Sequence, residues 1–465
     1  MSRYVPTALI LMTASLLLAT DVAVGADWED ELAITQDPVW QYRSYITTAP
    51  DDTVYVAWPD WTDWEDTKIM LMRSSDHGHT WTGPWITFEG LPYDNMDICA
   101  DADSLHLLLV KFYEDEEAEY KWLYYAKSVD GGETFTDPVQ VGERENIEVI
   151  KLFTSPGYIF VYAQNMDWET EQQYDYLYVS EDAGVSWVEK PLLPAYSLRN
   201  ASFTVEAGVI HVVFAGMPGS SAIMHSYSAD TGDTWSAPVA VSSGEGPHSQ
   251  LPQVALDESA IHVTWEDDRT EHFNVVYSRS TDGGLTWSDD EQVNDTYYGA
   301  RPKLLADEEG LHIVWCQYHG DHGWPSSWSS GDYGIIWYKF SGDCGLTWSD
   351  EFRVSQNEHI DPIDLPDMGA NHVKLAEYGT GFCAMWQDKR DGNVDLYMRN
   401  NLGPACPGDV DGDGDTDLSD LAELLAAYNT SAGDPLYNPA ADFDSDGDVD
   451  LSDLAFLLSD YGCTP

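Results

Sequence analysis

Six copies of one octapeptide, S-x-D-x-G-x-[TS]-[WF], govern what this chain can fold into: Ser74 to Trp81, Ser128 to Phe135, Ser180 to Trp187, Ser228 to Trp235, Ser280 to Trp287 and Ser341 to Trp348. They recur at intervals of about fifty residues, the period of a supersecondary unit that buries its faces against its neighbours. An alternating strand precedes each copy (Asn274 to Arg279, Gly334 to Phe340), and the aromatic residue leads into another, so the box lies in a hairpin turn. The turn accounts for its residues. Asp and Ser bond backbone amides, Gly supplies a positive φ, and the aromatic ring is available for burial between units. Nothing in the pattern requires a substrate.

Upstream of each box a first strand and then a second recur, the latter as Val54-Tyr-Val-Ala-Trp58, Ile261-His-Val-Thr-Trp265 or Leu311-His-Ile-Val-Trp315. Four strands per unit is a propeller blade. A seventh second strand, Gly381 to Trp386, opens a unit whose third strand, Asp395 to Arg399, is followed by neither box nor fourth strand. The segment from Asp27 to Thr35 reads like the fourth strands after Trp287 and Trp348. Lent to the last blade, it removes the open edges of the ring. The expectation is a mainly β fold, a seven-bladed propeller over 27–403 closed by an N-terminal strand.

The repeats resemble those of the Asp-box (BNR-repeat) propellers of the sialidase superfamily, over about four fifths of the chain. That family includes glycosidases, glycan binders and scaffolds, and its true sialidases have six blades, so a count of seven weighs against that activity. In such propellers the boxes face away from the functional surface, which leaves ligand recognition to the loops after the second strands. Those loops are aromatic and acidic here, with Trp61, Trp64, Trp168, Trp324 and Trp328 beside carboxylates, as in Trp265-Glu-Asp-Asp-Arg269. Two roles are open to these rings: a carbohydrate platform, since sugar C–H faces stack on aromatics, or a cover over the blade tops. The resemblance further implies an arginine clamp for a carboxylate. Tyr42-Arg43 matches half of the expected motif but continues Ser44-Tyr45 instead of Ile-Pro. Counted back from the second strands, Arg199 falls in the register of Arg43 and Arg301 falls one residue out of step, which would turn Arg301 away. No catalytic Tyr, Glu or Asp can be assigned. Arg73, Arg279 and Arg399 recur just before the boxes or their vestige and read as scaffold.

After Gly403-Pro404 the composition changes: 404–465 contain no Lys or Arg and carry two acidic repeats. Asp409, Asp411, Asp413, Asp415, Asp417 and Asp420 match Asp442, Asp444, Asp446, Asp448, Asp450 and Asp453 position for position, with Gly414 and Gly447 midway. Oxygens at loop positions 1, 3, 5, 7, 9 and 12 with Gly at 6 are what a calcium loop of the EF-hand type needs, so two Ca2+ ions are expected. Short helices are predicted over Leu421 to Tyr428 and Leu454 to Tyr461. The absence of a preceding helix and the Asp at position 12 resemble a type I dockerin. That resemblance implies a cohesin-like partner, read by Leu418-Ser419 and Leu451-Ser452 in either of two orientations. Cys406 and Cys463 bracket the module, and a disulfide between them would add roughly 4 kcal/mol by loop entropy. Cys99, Cys316, Cys344 and Cys383 are scattered and suggest no pairing.

Arg3, the apolar run Ala8 to Ala19 and Ala23-Val-Gly-Ala26 form the pattern of a signal peptide over 1–26, which predicts a secreted, extracellular or cell-surface protein with no membrane span in the mature chain. The formal net charge of -61 repels nucleic acid and favours cations. The leading reading is a secreted propeller that binds or processes a glycan, tethered through its calcium module. The alternatives are an exo-sialidase-type glycoside hydrolase using Arg43, Arg199 and Arg301, and a non-catalytic propeller whose partner is a protein.

Overall fold

The computed structural model describes residues 28–461 except 36–42, 61–66, 89–92, 115–118, 168–171, 194–195, 197, 217–221, 244–248, 258, 271, 296–297, 308–309, 320–332, 357–372, 379–380, 389, 391–393, 402–407, 409, 411–415, 432–435, 439–440, 442 and 444–446. Seven antiparallel four-stranded sheets form the blades of a propeller. Their innermost strands are Tyr45–Thr48, Tyr93–Ala100, Ile147–Ser155, Arg199–Glu206, Ser249–Leu256, Gly299–Ala306 and Lys374–Tyr378, for blades 1 to 7. Each inner strand touches those of both neighbouring blades, blade 7 meeting blade 1, so the ring closes about an axis.

Closure is the one expected. Leu32 and Ala33 pair with Met398 and Tyr397 as the outermost strand of blade 7, and Trp28 bridges to Asn401. The indole of Trp28 stacks on Phe352 of blade 6 and meets Phe382 of blade 7 edge-on at 5.4 Å. Arg399 lies over both Trp28 and Phe352 and donates to the Val354 carbonyl at 2.8 Å. It does not share the place of Arg73 and Arg279, which immediately precede their box serines: blade 7 aligns Asn401 with those serines, two residues beyond Arg399.

The box is a self-contained bonding unit. In blade 5, Ser280 Oγ donates to Asp282 Oδ1 (2.8 Å) and accepts the Gly284 amide (2.9 Å), while Asp282 accepts the Thr286 amide (2.9 Å) and hydroxyl (2.6 Å). The serine, glycine and aspartate bonds recur in the other five boxes; Ser186 replaces the threonine in blade 3. Gly284 has a φ of +87°, and a Cβ there would lie 2.3 Å from the ring of His225 in blade 4. The box aromatic seals the same seam, as Trp187 meets Tyr125, Trp287 meets His225 and Trp348 meets Tyr277, with ring centroids 5.1 to 5.3 Å apart. The octapeptide therefore joins each blade to the one before it.

The C-terminal segment has its own small core of Val410, Leu424, Ala427, Ala441, Val449 and Leu457. Helices α1 (Leu418–Ala427) and α2 (Leu451–Asp460) are joined by a two-stranded ladder, Thr430–Ser431 with Asp448–Val449. Both helices begin one turn earlier than the pattern suggested, because loop positions 9 and 12 double as N-cap and N3. Asp417 accepts the Ser419 amide while Asp420 reaches back to the Asp417 amide, and Asp450 and Asp453 repeat this. This reciprocal box satisfies amides that a helix start leaves open. Among the described residues no helix is long and apolar enough to cross a membrane.

Candidate functional site

The end of the propeller opposite the boxes carries the second-to-third loops and the starts of the inner strands. There the inner strands of blades 4, 5 and 6 each contain a bulge in which two residues oppose one: Asn200 and Ala201, Leu251 and Pro252, Arg301 and Pro302. The first residue of each pair is left-handed, with φ of 52°, 52° and 54°. Arg43 has the same φ of 54° and stands two residues before Tyr45, as Arg301 stands two before Lys303; Tyr45 and Lys303 lie opposite the residue preceding Trp58 and Trp315. Arg43 and Arg301 are thus equivalent, and Arg199 is the one out of step, paired with Ala215 one residue ahead of the bulge. This reverses the sequence-based register. Counting from the second strand ignores the hairpin between the strands, which leaves Ala49 to Thr53 unpaired in blade 1 but only Ala207 and Gly208 in blade 4.

Left-handed φ is costly for a residue with a β-carbon and persists where the surroundings fix it. At Arg301, and beside Arg43, the fixing group is the residue that follows the second-strand tryptophan of the preceding blade. Glu266, buried at 4% exposure after Trp265, accepts the Arg301 amide at 2.9 Å and the Gln250 side chain at 2.8 Å. Gln387, after Trp386, donates to Ser44 beside Arg43 at 3.2 Å. Burial raises the Glu266 carboxyl above its ordinary range, against the bonds from Gln250 and Arg301.

The loop Trp265 to Arg269, read as a ligand loop, is built as scaffold. Asp267 is fully buried and takes a two-pronged pair from Arg269, Nε and Nη2 each at 2.7 Å, together with Trp265 Nε1 at 3.1 Å and Ser249 Oγ at 2.8 Å. Arg269 also pairs with Asp290 at 2.7 Å. Blade 7 repeats the arrangement, with Asp388 buried against Arg390 and Arg390 reaching Glu31 of the closing strand. Sequence reasoning missed this device, though its signal, Trp-x-Asp-x-Arg in both loops, was present. Trp61, Trp64, Trp168, Trp324 and Trp328 lie outside the described residues.

Of the expected metal ligands, Asp417, Asp420, Asp448, Asp450 and Asp453 are described; Asp409, Asp411, Asp413, Asp415, Asp442, Asp444 and Asp446 lie outside, as do Cys406 and Cys463. Among the described residues no group of three or more His, Cys, Asp or Glu surrounds a point that could hold an ion. The position-12 carboxylates nonetheless fit a cation site. Asp420 and Asp453 are 0% and 1% exposed, and each accepts a second amide from inside its own loop, Val410 and Phe443, at 2.7 Å. No Lys or Arg of this segment can balance the two buried carboxylates, which is the chemistry a bound cation supplies. Leu418 and Leu451 open their helices at the same 66% exposure, with Ser419 and Ser452 exposed beside them.

Residues 407–459 match the family model of the dockerin type I domain. Over 242 residues, 48% of this chain, the sequence is 23% identical to the curated protein "Anhydrosialidase" of Macrobdella decora, and it spans 30% of that relative's length. Among solved structures, the phage phi92 endosialidase is similar with a TM-score of 0.46 at 10% identity, over 81% of this chain and 69% of its own. The Hadza microbial sialidase Hz136 has a TM-score of 0.42 at 15% identity, over 62% and 66%. The fold is a seven-bladed propeller, followed by a segment that matches the dockerin type I model.

Proposed function

We propose that this is a secreted glycan-binding or glycan-processing propeller, residues 27–403, held on a cohesin-bearing surface by a calcium-dependent module, residues 404–465. The tethering half is carried by one observation: two helices with the same capping, each presenting an exposed Leu-Ser pair at its first turn. Calcium would be held by Asp409, Asp411, Asp413, Asp415, Asp417 and Asp420 in the first loop and by Asp442, Asp444, Asp446, Asp448, Asp450 and Asp453 in the second. Bound there, it would neutralise the packed carboxylates and couple loop order to helix order. The glycan half draws on the name of the curated relative and on the two left-handed arginines, Arg43 in blade 1 and Arg301 in blade 6. These arginines could orient an acidic sugar, with the tryptophans of the second-to-third loops as stacking surfaces.

Two experiments test the two halves apart. A type I cohesin should capture the full chain with calcium and release it with chelator. Replacing Leu418-Ser419 or Leu451-Ser452 alone should leave capture within about twofold, and replacing both should abolish it; capture indifferent to the double replacement would reject the tether. A glycan array with and without Arg43→Ala should show calcium-independent binding that the variant loses. An array blank for both proteins would leave the protein-binding propeller as the better account.

A further inference from the structure

One residue from every inner strand falls at the same height on the axis. Tyr45, Asp97, Lys151, Ser202, Gln253, Lys303 and Lys374 pair respectively with Ala57, Leu108, Tyr162, Val213, Thr264, Val314 and Met385. In blades 1 to 6 each partner is the third residue after the one paired with the box serine, and in blade 7 the third after Phe382, which pairs with Asn401. All seven are polar and keep some exposure, most of them only in part, whereas Ile98, Leu152 and Val254, next along their strands, are buried in the blade cores.

The side chains reach round the ring. Lys303 Nζ donates to Gln253 at 3.1 Å, Lys374 Nζ lies 5.1 Å from the centre of the Tyr45 ring, Tyr45 donates to Asn95 at 2.7 Å, and Asp97 accepts the Leu152 amide at 2.8 Å. The chain has 82 acidic residues against 21 basic ones, yet this one layer gathers three lysines and a single carboxylate. Among the described residues none of the three lysines forms an ion pair. One turn of the pleat further along, Thr204, Ala255 and Leu305 line a cavity of about 390 Å³ that runs on to Glu206 and Glu377.

We propose that this layer is a binding site for a tetrahedral oxyanion of the sulfate class, either the free dianion or the singly charged sulfate ester of a sugar. Three lysines less one aspartate leave two positive charges, which a dianion balances, and the Ser202 and Gln253 groups add neutral donors. Without such a partner the layer is electrostatically costly. Burial, then the Lys151 charge, lowers Lys374 to about 8 despite Asp97. Burial, then the charges of Lys374 and Lys151, lowers Lys303 well below the usual lysine range. A bound dianion reverses both effects, because it favours the charged amines.

The test uses the full chain, titrated calorimetrically with sodium sulfate, with a sulfated monosaccharide, and with sodium acetate as the monoanion control. Saturable sulfate binding with little response to acetate is expected, weakened about tenfold by Lys303→Gln or Lys374→Gln and tightened by Asp97→Asn. Binding of the sulfated sugar alone, lost in the same variants, would assign the site to a glycan substituent. At pH 8 sulfate binding should take up protons, seen as heats that vary with buffer ionisation enthalpy. The groups that face the titrating amines are Tyr45, Asp97, Lys151, Arg301 and Cys316. Lys303→Arg, which keeps the charge, should keep binding and so separates charge from folding. No saturable binding by either sulfated probe, or affinity unchanged in a folded Lys151→Gln, Lys303→Gln, Lys374→Gln triple variant, would overturn the proposal.

Discussion

The carboxylate of Glu266 in blade 5 accepts the backbone amide of Arg301 in blade 6 at 2.9 Å, so a buried acid fixes the bulge on which an arginine is mounted. Glu266→Ala leaves that amide and Gln250 without their acceptor, and about 2 kcal/mol of stability should be lost. Glu266→Gln keeps one acceptor and should cost less. Denaturant unfolding of the two variants checks the order, and equal losses would show that volume, not bonding, supports the bulge.

The box aspartates should titrate far below ordinary carboxylates. Hydrogen bonds from the side chains of Thr134, Ser186 and Thr286 bring Asp130, Asp182 and Asp282 to about 2. Each folded value is depressed, so the contribution is complete above about 4, the unfolded value, and is lost as pH falls through about 2. In carboxyl NMR titrations Thr286→Val should return Asp282 toward the ordinary range while Asp130 stays where it is.

Blade 4 departs from its neighbours in a way that acid should expose. His106, His262 and His312 bond Tyr125, Tyr277 and Tyr338, each facing an aspartate, but His211 faces His225 at 3.0 Å. Burial lowers His211 to about 4, and burial with the His211 charge lowers His225 to about 3. The unfolded chain then binds more protons, so stability should fall as pH drops below about 6.5. Thermal melts from pH 7 to 4 should show a flatter decline for His225→Phe than for the wild type.

Chelation should act on one end of the chain. Removing calcium should cost the helical circular dichroism of α1 and α2 while the near-ultraviolet signal of the propeller tryptophans persists. Asp420→Ala should weaken calcium binding by at least about tenfold, as expected for loss of an EF-type position-12 ligand. A chelated protein whose helices melt at an unchanged temperature would remove calcium from the account of this segment.

What could be read from the sequence were features that repeat. The box, the seven second strands and the spare N-terminal strand defined the ring because each is a local pattern with its own bonding logic. The paired acidic repeats were legible for the same reason, but the N-cap role of Asp417 and Asp450, which moves the helix starts from Leu421 and Leu454 to Leu418 and Leu451, was not. The relation between Arg43, Arg199 and Arg301 was not legible, since it depends on bulges and hairpin lengths that shift register by one residue. The roles of Glu266 and Asp267 were hidden too: a carboxylate in a loop looks alike whether it faces solvent or holds the next blade.

The strand that completes blade 7 is drawn from residues 32–33, while its partner spans residues 397–398. During synthesis the first of these segments leaves the ribosome long before the second exists, so a nascent chain can stack blades but cannot lock them. Circular permutants that cut a box hairpin and join residues 401 and 28 would make this seam continuous. Such molecules should close faster than the natural order of the chain allows.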